Sequence, residues 1–271
     1  MNLFFFNITV ILYFAGAILF LLYVVSKREF ISRSSLWVTG VGFISHSIAL
    51  STRMLEAGHI PLSNLYEALS FFTWGLVLVF LIIEYLYKIH ILGSFILPLA
   101  FIFIMAASIL PNEVSALDPL LQSRWFGIHT TLSLLGIVAF AMAFVCGIMY
   151  LIQERLLKSK RFNALYYKLP SLDMLDHLNQ RAISIGFPLL TLGIISGSVW
   201  AEYAWGSYWS WEPKQTFSLV TWLFYLVVLH GRLTVGWRAK KAAYLAIIGF
   251  LGVIFTFIGV NLLIKGLHSF V

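Results

Sequence analysis

Apolar residues gather into eight runs of about twenty, at about 3–25, 35–55, 68–87, 91–110, 126–152, 182–201, 216–234 and 242–263. Most of the charge falls in the connections between them. A helix rising 1.5 Å per residue needs about 20 apolar residues to cross the hydrocarbon of a bilayer. The pattern predicts an all-α polytopic membrane protein with about eight transmembrane helices, residues 1–271 forming a single transmembrane domain. The first run, Leu3 to Val25, has no Lys or Arg before it and is followed by Lys27, Arg28 and Arg33. That order is the reverse of a cleaved signal peptide, so the run reads as a retained span.

The connections fix an orientation. If the first span runs from outside to inside, alternation puts Lys27, Arg28, Arg33, Lys88, Arg155, Lys158, Lys160, Arg161, Lys168, Arg181, Arg232, Arg238, Lys240 and Lys241 on the inner side. Only Arg53, Arg124, Lys214 and Lys265 of the 18 basic residues remain outside. This is the positive-inside bias, and it predicts both termini on the outer side. Three outer connections follow from it: "EAGHIPLSNLYEAL", "PNEVSALDPLLQSRWFGIHT" and a tryptophan-rich loop at about 201–215. The largest inner loop, at about 153–181, is basic, and Leu172, Leu175 and Leu178 recur in it at helical spacing. A short amphipathic helix at the inner surface is expected there.

Composition agrees with this picture. The chain is 61% hydrophobic and 11% charged, with a mean hydropathy of +0.92; a soluble domain carries about 25% charged residues. The net charge of +7 belongs to membrane topology and gives no reason to expect a nucleic-acid partner. Cys146 is the one cysteine, so dithiol chemistry within one chain is excluded and any thiol reductant is another protein.

Histidine inside a span is costly and points to function, and it is a common axial ligand of haem iron. His129, at the outer mouth of the fifth span, and His268, just past the outer end of the eighth, share the depth of the tryptophan-rich loop. Two readings are open for them: wetted interfacial histidines, or a pair of axial ligands. His230, on the inner half of the seventh span, is either an interface anchor or a ligand. His46 lies mid-span, where burial demands a hydrogen-bonded or ligand role. His59, His90 and His177 read as solvated structural residues. Isolated interfacial tryptophans are ordinary belt residues, but Trp205, Trp209 and Trp211 fall in seven residues that include Gly206 and are followed at once by Glu212 and Pro213. Clustered flat aromatic surface suits stacking on a large planar ligand such as a porphyrin. Pro213 sets the start of the next helix, and Glu212 is placed to cap it.

"WGSYWSWEPK" resembles the WGxxWxWD motif of haem-handling membrane proteins of cytochrome c maturation. With "EAGHIPLSNLYEAL", "LQSRWFGIHT", "RAISIGFPLLTLGIISGSVWAEYAWGSYWSWEPK" and "GVNLLIKGLHSF", the chain from about residue 50 onward is similar to the CcsA (ResC) family of System II cytochrome c biogenesis. The resemblance implies delivery of haem b across the membrane and its covalent attachment to apocytochrome c CxxCH motifs on the outer face. It implies a CcsB/ResB-type membrane subunit, an external thioredoxin-like thiol reductant, and a bacterial plasma membrane or chloroplast thylakoid location. His129 and His268 match the outer axial ligands and His230 the transmembrane ligand. Trp205, Gly206, Trp209, Trp211 and Pro213 match the tryptophan-rich motif, with Glu212 where the family usually has aspartate. The second inner ligand is expected from the partner, with His46 as an alternative. The implied role is the haem-presenting part of a holocytochrome c synthase; the alternative is a haem exporter or carrier without synthase chemistry.

Overall fold

A computed structural model describes residues 1–26, 28–114 and 117–263. Among them the regular structure is entirely helical: α1 (Asn2–Val25), α2 (Glu29–Ala57), α3 (Leu65–Tyr87), α4 (Gly93–Ser108), α5 (Arg124–Lys158), α6 (Ala164–Lys168), α7 (Leu172–Trp205), α8 (Pro213–His230), α9 (Ala239–Ile254) and α10 (Val260–Leu263). The protein is an all-α polytopic membrane protein. Seven helices are long and apolar enough to cross a membrane, namely α1, α3, α5, α7, Pro213–Val235, Ala239–Gly259 and the stretch His90–Ser108 that contains α4.

The second expected span, α2, forms with 29 residues, long enough at about 43 Å to cross, but it is not among the seven. The reason lies in how its faces are used. Ser32, Ser35, Thr39, Ser45, His46 and Arg53 are buried on one side, while Phe30, Trp37, Val41, Ile44, Ile48 and Leu55 are exposed. Polar side chains turn inward, where Ser35, Ser45, His46 and Arg53 find partners, and apolar ones turn outward, as hydrocarbon surroundings demand.

The described chain divides into two compact units, one of residues 1–116 and 156–170, the other of residues 117–155 and 171–271. In the first, α1, α2, α3 and α4 pack around Tyr13, Phe20, Phe72, Leu76 and Phe80, all with no accessible surface. Asn64 caps α3 by accepting from the Glu67 amide at 2.9 Å. Glu67 then turns back to pair with Arg53, Nε to Oε1 at 2.8 Å, both side chains more than nine-tenths buried. Arg53 also donates to the carbonyls of Asn112 at 2.6 Å and Glu113 at 3.1 Å, and Glu67 Oε2 accepts from the Ser63 amide and hydroxyl. One buried ion pair thus fixes α2, α3 and the segment after α4.

The basic connection is more helical than its composition suggests. α5 continues to Lys158, and α6 places Lys168 over the Tyr23 ring at 4.1 Å, with its ammonium donating to the carbonyls of Tyr23, Val24 and Ser26 at the end of α1. A cation there complements the helix dipole, and burial pulls the Lys168 pKa below its ordinary value. The separate amphipathic helix expected at Leu172 to Leu178 does not stand alone. Ser171 caps it, and it runs unbroken into the sixth span as the 34-residue α7, with Pro188 inside. Leu175 and Leu178 are buried, so the apolar spacing marks a buried face of the first turns of α7.

Replacing Arg53 with Met, or Glu67 with Gln, leaves a buried group of the pair unmatched. Each single change lowers stability by about 3–5 kcal/mol. The double variant loses less than the sum of the two, read as thermal unfolding in detergent micelles.

Candidate functional site

The tryptophan-rich connection belongs to the second unit and is shaped at both ends by helix chemistry. α7 stops at Trp205 because Gly206 takes the left-handed conformation, φ 69°, with its amide bonded to the Glu202 carbonyl at 2.9 Å. Glycine adopts that conformation without steric penalty. α8 begins with Pro213, and the Glu212 carboxylate accepts from the Gln215 amide at 3.2 Å. Gln215 answers by accepting from the Ser210 amide at 2.9 Å and hydroxyl at 3.2 Å, and Thr216 donates to the Trp211 carbonyl at 3.1 Å. Trp211 is held at φ 55°, a strained value for a non-glycine residue. The connection is therefore tied down on the first turn of α8, with Trp211 68% exposed.

Trp209 meets Trp211 edge to face at 5.7 Å. Its indole N–H is buried and has no acceptor among the described residues. Trp205 packs edge-on against Trp200 at 4.9 Å. Trp200 is 1% exposed, donates its indole N–H to the Leu120 carbonyl at 2.9 Å, and packs with Leu121 and Phe126. Trp200 also stacks with His129, in the first turns of α5, with ring planes 14° apart and centroids at 6.1 Å. His129 Nδ1 donates to the Gly193 carbonyl of α7 at 2.7 Å. In a neutral imidazole that bond fixes the proton on Nδ1 and leaves Nε2 as the nitrogen with an in-plane lone pair.

His230 closes α8 at the far end from Glu212, followed by a π-helical turn, Gly231–Val235. Arg232 in that turn is buried and donates to Asn179 Oδ1 at 2.9 Å and Asp176 Oδ1 at 3.0 Å. His46 lies in the other unit. Its Nδ1 meets the Tyr13 hydroxyl at 3.3 Å and its Nε2 the Ser70 hydroxyl at 3.0 Å. Both nitrogens are within hydrogen-bond reach of a hydroxyl. His268 lies outside the described residues.

A family described as cytochrome C assembly protein matches residues 62–268. The cytochrome c biogenesis protein CcsA of Guillardia theta is 39% identical over 246 residues, 84% of this chain and 82% of that one. CcsA of Microcystis aeruginosa is 38% identical over 282 residues, 86% of each chain, and CcsA of Chlamydomonas reinhardtii 41% over 238 residues, 85% of this chain and 66% of that one. The chain belongs to the CcsA family. Its role accordingly lies in cytochrome c maturation. The fold also matches the cytochrome c haem lyase CcmF, with a TM-score of 0.68 at 18% identity, covering 95% of this chain and 46% of that one.

Within this CcsA-family chain the structure joins His129 to Trp205 through a residue the sequence reading did not single out. Trp200 stood in the quoted stretch "SGSVWAEYAWG", but a tryptophan near a span end is ordinary. Its signal is positional: Gly193, Gly197 and Trp200 recur at i, i+4 and i+7, one face of α7. Glu212 acts as the helix cap that its position suggested. Aspartate is a strong cap, so Glu212→Asp preserves stability, whereas Glu212→Ala costs about 1 kcal/mol, measured by thermal unfolding in detergent.

Proposed function

We propose that this chain receives haem b within the membrane, presents it at the outer face, and directs its covalent attachment to apocytochrome c CxxCH motifs together with a CcsB/ResB-type subunit. The observation that carries the reading is the Trp200 cluster, in which one ring packs against both His129, a nitrogen ligand with a defined tautomer, and Trp205 of the tryptophan-rich motif. The other features fit a porphyrin. Trp211 offers an exposed aromatic face, and the unmatched indole N–H of Trp209 suits a propionate acceptor. His268 supplies the second outer ligand. Trp205, Gly206, Trp209, Trp211, Glu212 and Pro213 form the surface that orients the macrocycle.

The 18 residues of α8 rise about 27 Å, close to the ~30 Å hydrocarbon thickness. His230 and the tryptophan-rich connection therefore lie at opposite ends of one span, which suits an inner and an outer holding position. A partner histidine completes the inner pair. Haem contributes the vinyl carbons, and each thioether forms as a thiol S–H adds across one of them, with no net redox change. Placement is the protein's task, and holding both reactants in register is worth several kcal/mol. Cys146 is buried in a helix, so an external thioredoxin-like protein keeps the apocytochrome thiols reduced. The membrane is a bacterial plasma membrane or a thylakoid membrane, with both chain termini outside.

Substituting Ala for His129 or His268 lowers holocytochrome c yield at least tenfold in cells making a reporter cytochrome, and His230→Ala lowers it through loss of haem supply. Wild-type yield from both outer variants would refute the site. Reconstitution with reduced haem, a CxxCH peptide and the CcsB-type subunit separates the synthase role from the exporter alternative: the proposal expects thioether product, and a carrier gives haem transfer alone.

A further inference from the structure

The α7 face behind His129 is more than packing. A Cβ built on Gly197 would lie 2.5 Å from His129 Nδ1 and 2.7 Å from Cε1, so the imidazole occupies the space that any other residue would fill. Gly193, one turn earlier, offers its carbonyl to Nδ1 at 2.7 Å. Trp200, one turn later, lies 14° from the ring plane and is itself pinned by its bond to the Leu120 carbonyl. Gly136, on the facing helix, differs. A Cβ on Gly136 would meet the backbone of Leu190 at 3.1 Å and of Gly186 at 3.2 Å, which is plain helix-to-helix packing.

We propose that Gly193, Gly197 and Trp200 form a positioning socket on α7 that sets the tautomer, depth and plane of His129, so that Nε2 is delivered to haem iron. The inference rests on the reading of His129 as a haem ligand and extends it to three residues that touch no haem atom themselves. The carbonyl sets the tautomer and raises the donor strength of the ring, the glycine sets how deeply the ring seats, and the tryptophan holds its plane. Loss of such supporting contacts weakens metal affinity by about 10–100-fold.

A thermodynamic cycle on the full-length protein in detergent, titrated with haem, tests the socket. Gly197→Ala weakens haem binding about tenfold or more. In a His129→Ala background the same change has no further effect, because the ring it displaces is gone. Trp200→Phe, which keeps an aromatic plane but loses the bond to Leu120, gives a smaller loss with the same dependence on His129. Gly136→Ala is the packing control, and whatever effect it has is equal in both backgrounds. Unchanged affinity in Gly197→Ala overturns the socket, as does an equal loss with and without His129, the mark of a general packing defect. Full affinity in His129→Ala removes the outer ligand assignment itself and the socket with it.

Discussion

Hydrocarbon offers no partner to a polar group, and that constraint sorts most of the buried side chains in this protein. In α2 it puts apolar residues on the exposed face and serine, threonine, histidine and arginine on the buried one. A helix built that way is only moderately apolar in composition, yet its exposed face suits lipid. Arg53 and Arg232 follow the same logic. Each is buried and each is met by a carboxylate and by further oxygens, since removing one side of such a pair would strand a charge.

The rule is not kept everywhere: Ser32, Thr39, Tyr225 and Trp209 each bury a polar atom that no described residue meets, and the last of these lies in the tryptophan-rich connection. Trp209 keeps a buried indole N–H without an acceptor among the described residues, and Trp211 holds a strained backbone and an exposed ring. Natural cores satisfy nearly all their buried polar groups; what sets Trp209 apart from the other unmatched atoms is the exposed Trp211 ring packed against it. The connection does not gain its shape from the ligand. Gly206, Glu212, Pro213 and Gln215 set it through helix-terminal hydrogen bonds, and Trp200 and Gly193 orient His129 from α7. Such preorganisation fits the haem role proposed for this chain, in which attachment depends on holding two reactants in register.

The all-helical class and the approximate bounds of the long helices were legible in the apolar runs, because a span must be long and greasy whatever it packs against; of the eight runs, seven became helices apolar enough to cross. The start of α7 was not. Leu172, Leu175 and Leu178 carry a helical period that a surface helix and a buried helix end share, and only the tertiary contacts distinguish them. The site divides in the same way. The motif tryptophans, Glu212 and His129 stand out by residue type and clustering. Trp200, Gly193 and Gly197 do not, since their contribution is a face of a helix meeting a ring from another helix 64 residues away. His46 was ambiguous for the opposite reason: its type and depth stood out, while its contacts with Tyr13 and Ser70, distant in sequence, did not.

The central claim is that His129 ligates haem iron through Nε2 beside the tryptophan-rich connection. Electron paramagnetic resonance of the oxidised, haem-loaded protein with its membrane partner tests it most directly. The account predicts a low-spin bis-histidine signal from the outer site that gives way to a high-spin signal when His129 is replaced by Ala and nothing else is changed. A low-spin signal of undiminished intensity in that variant would contradict it.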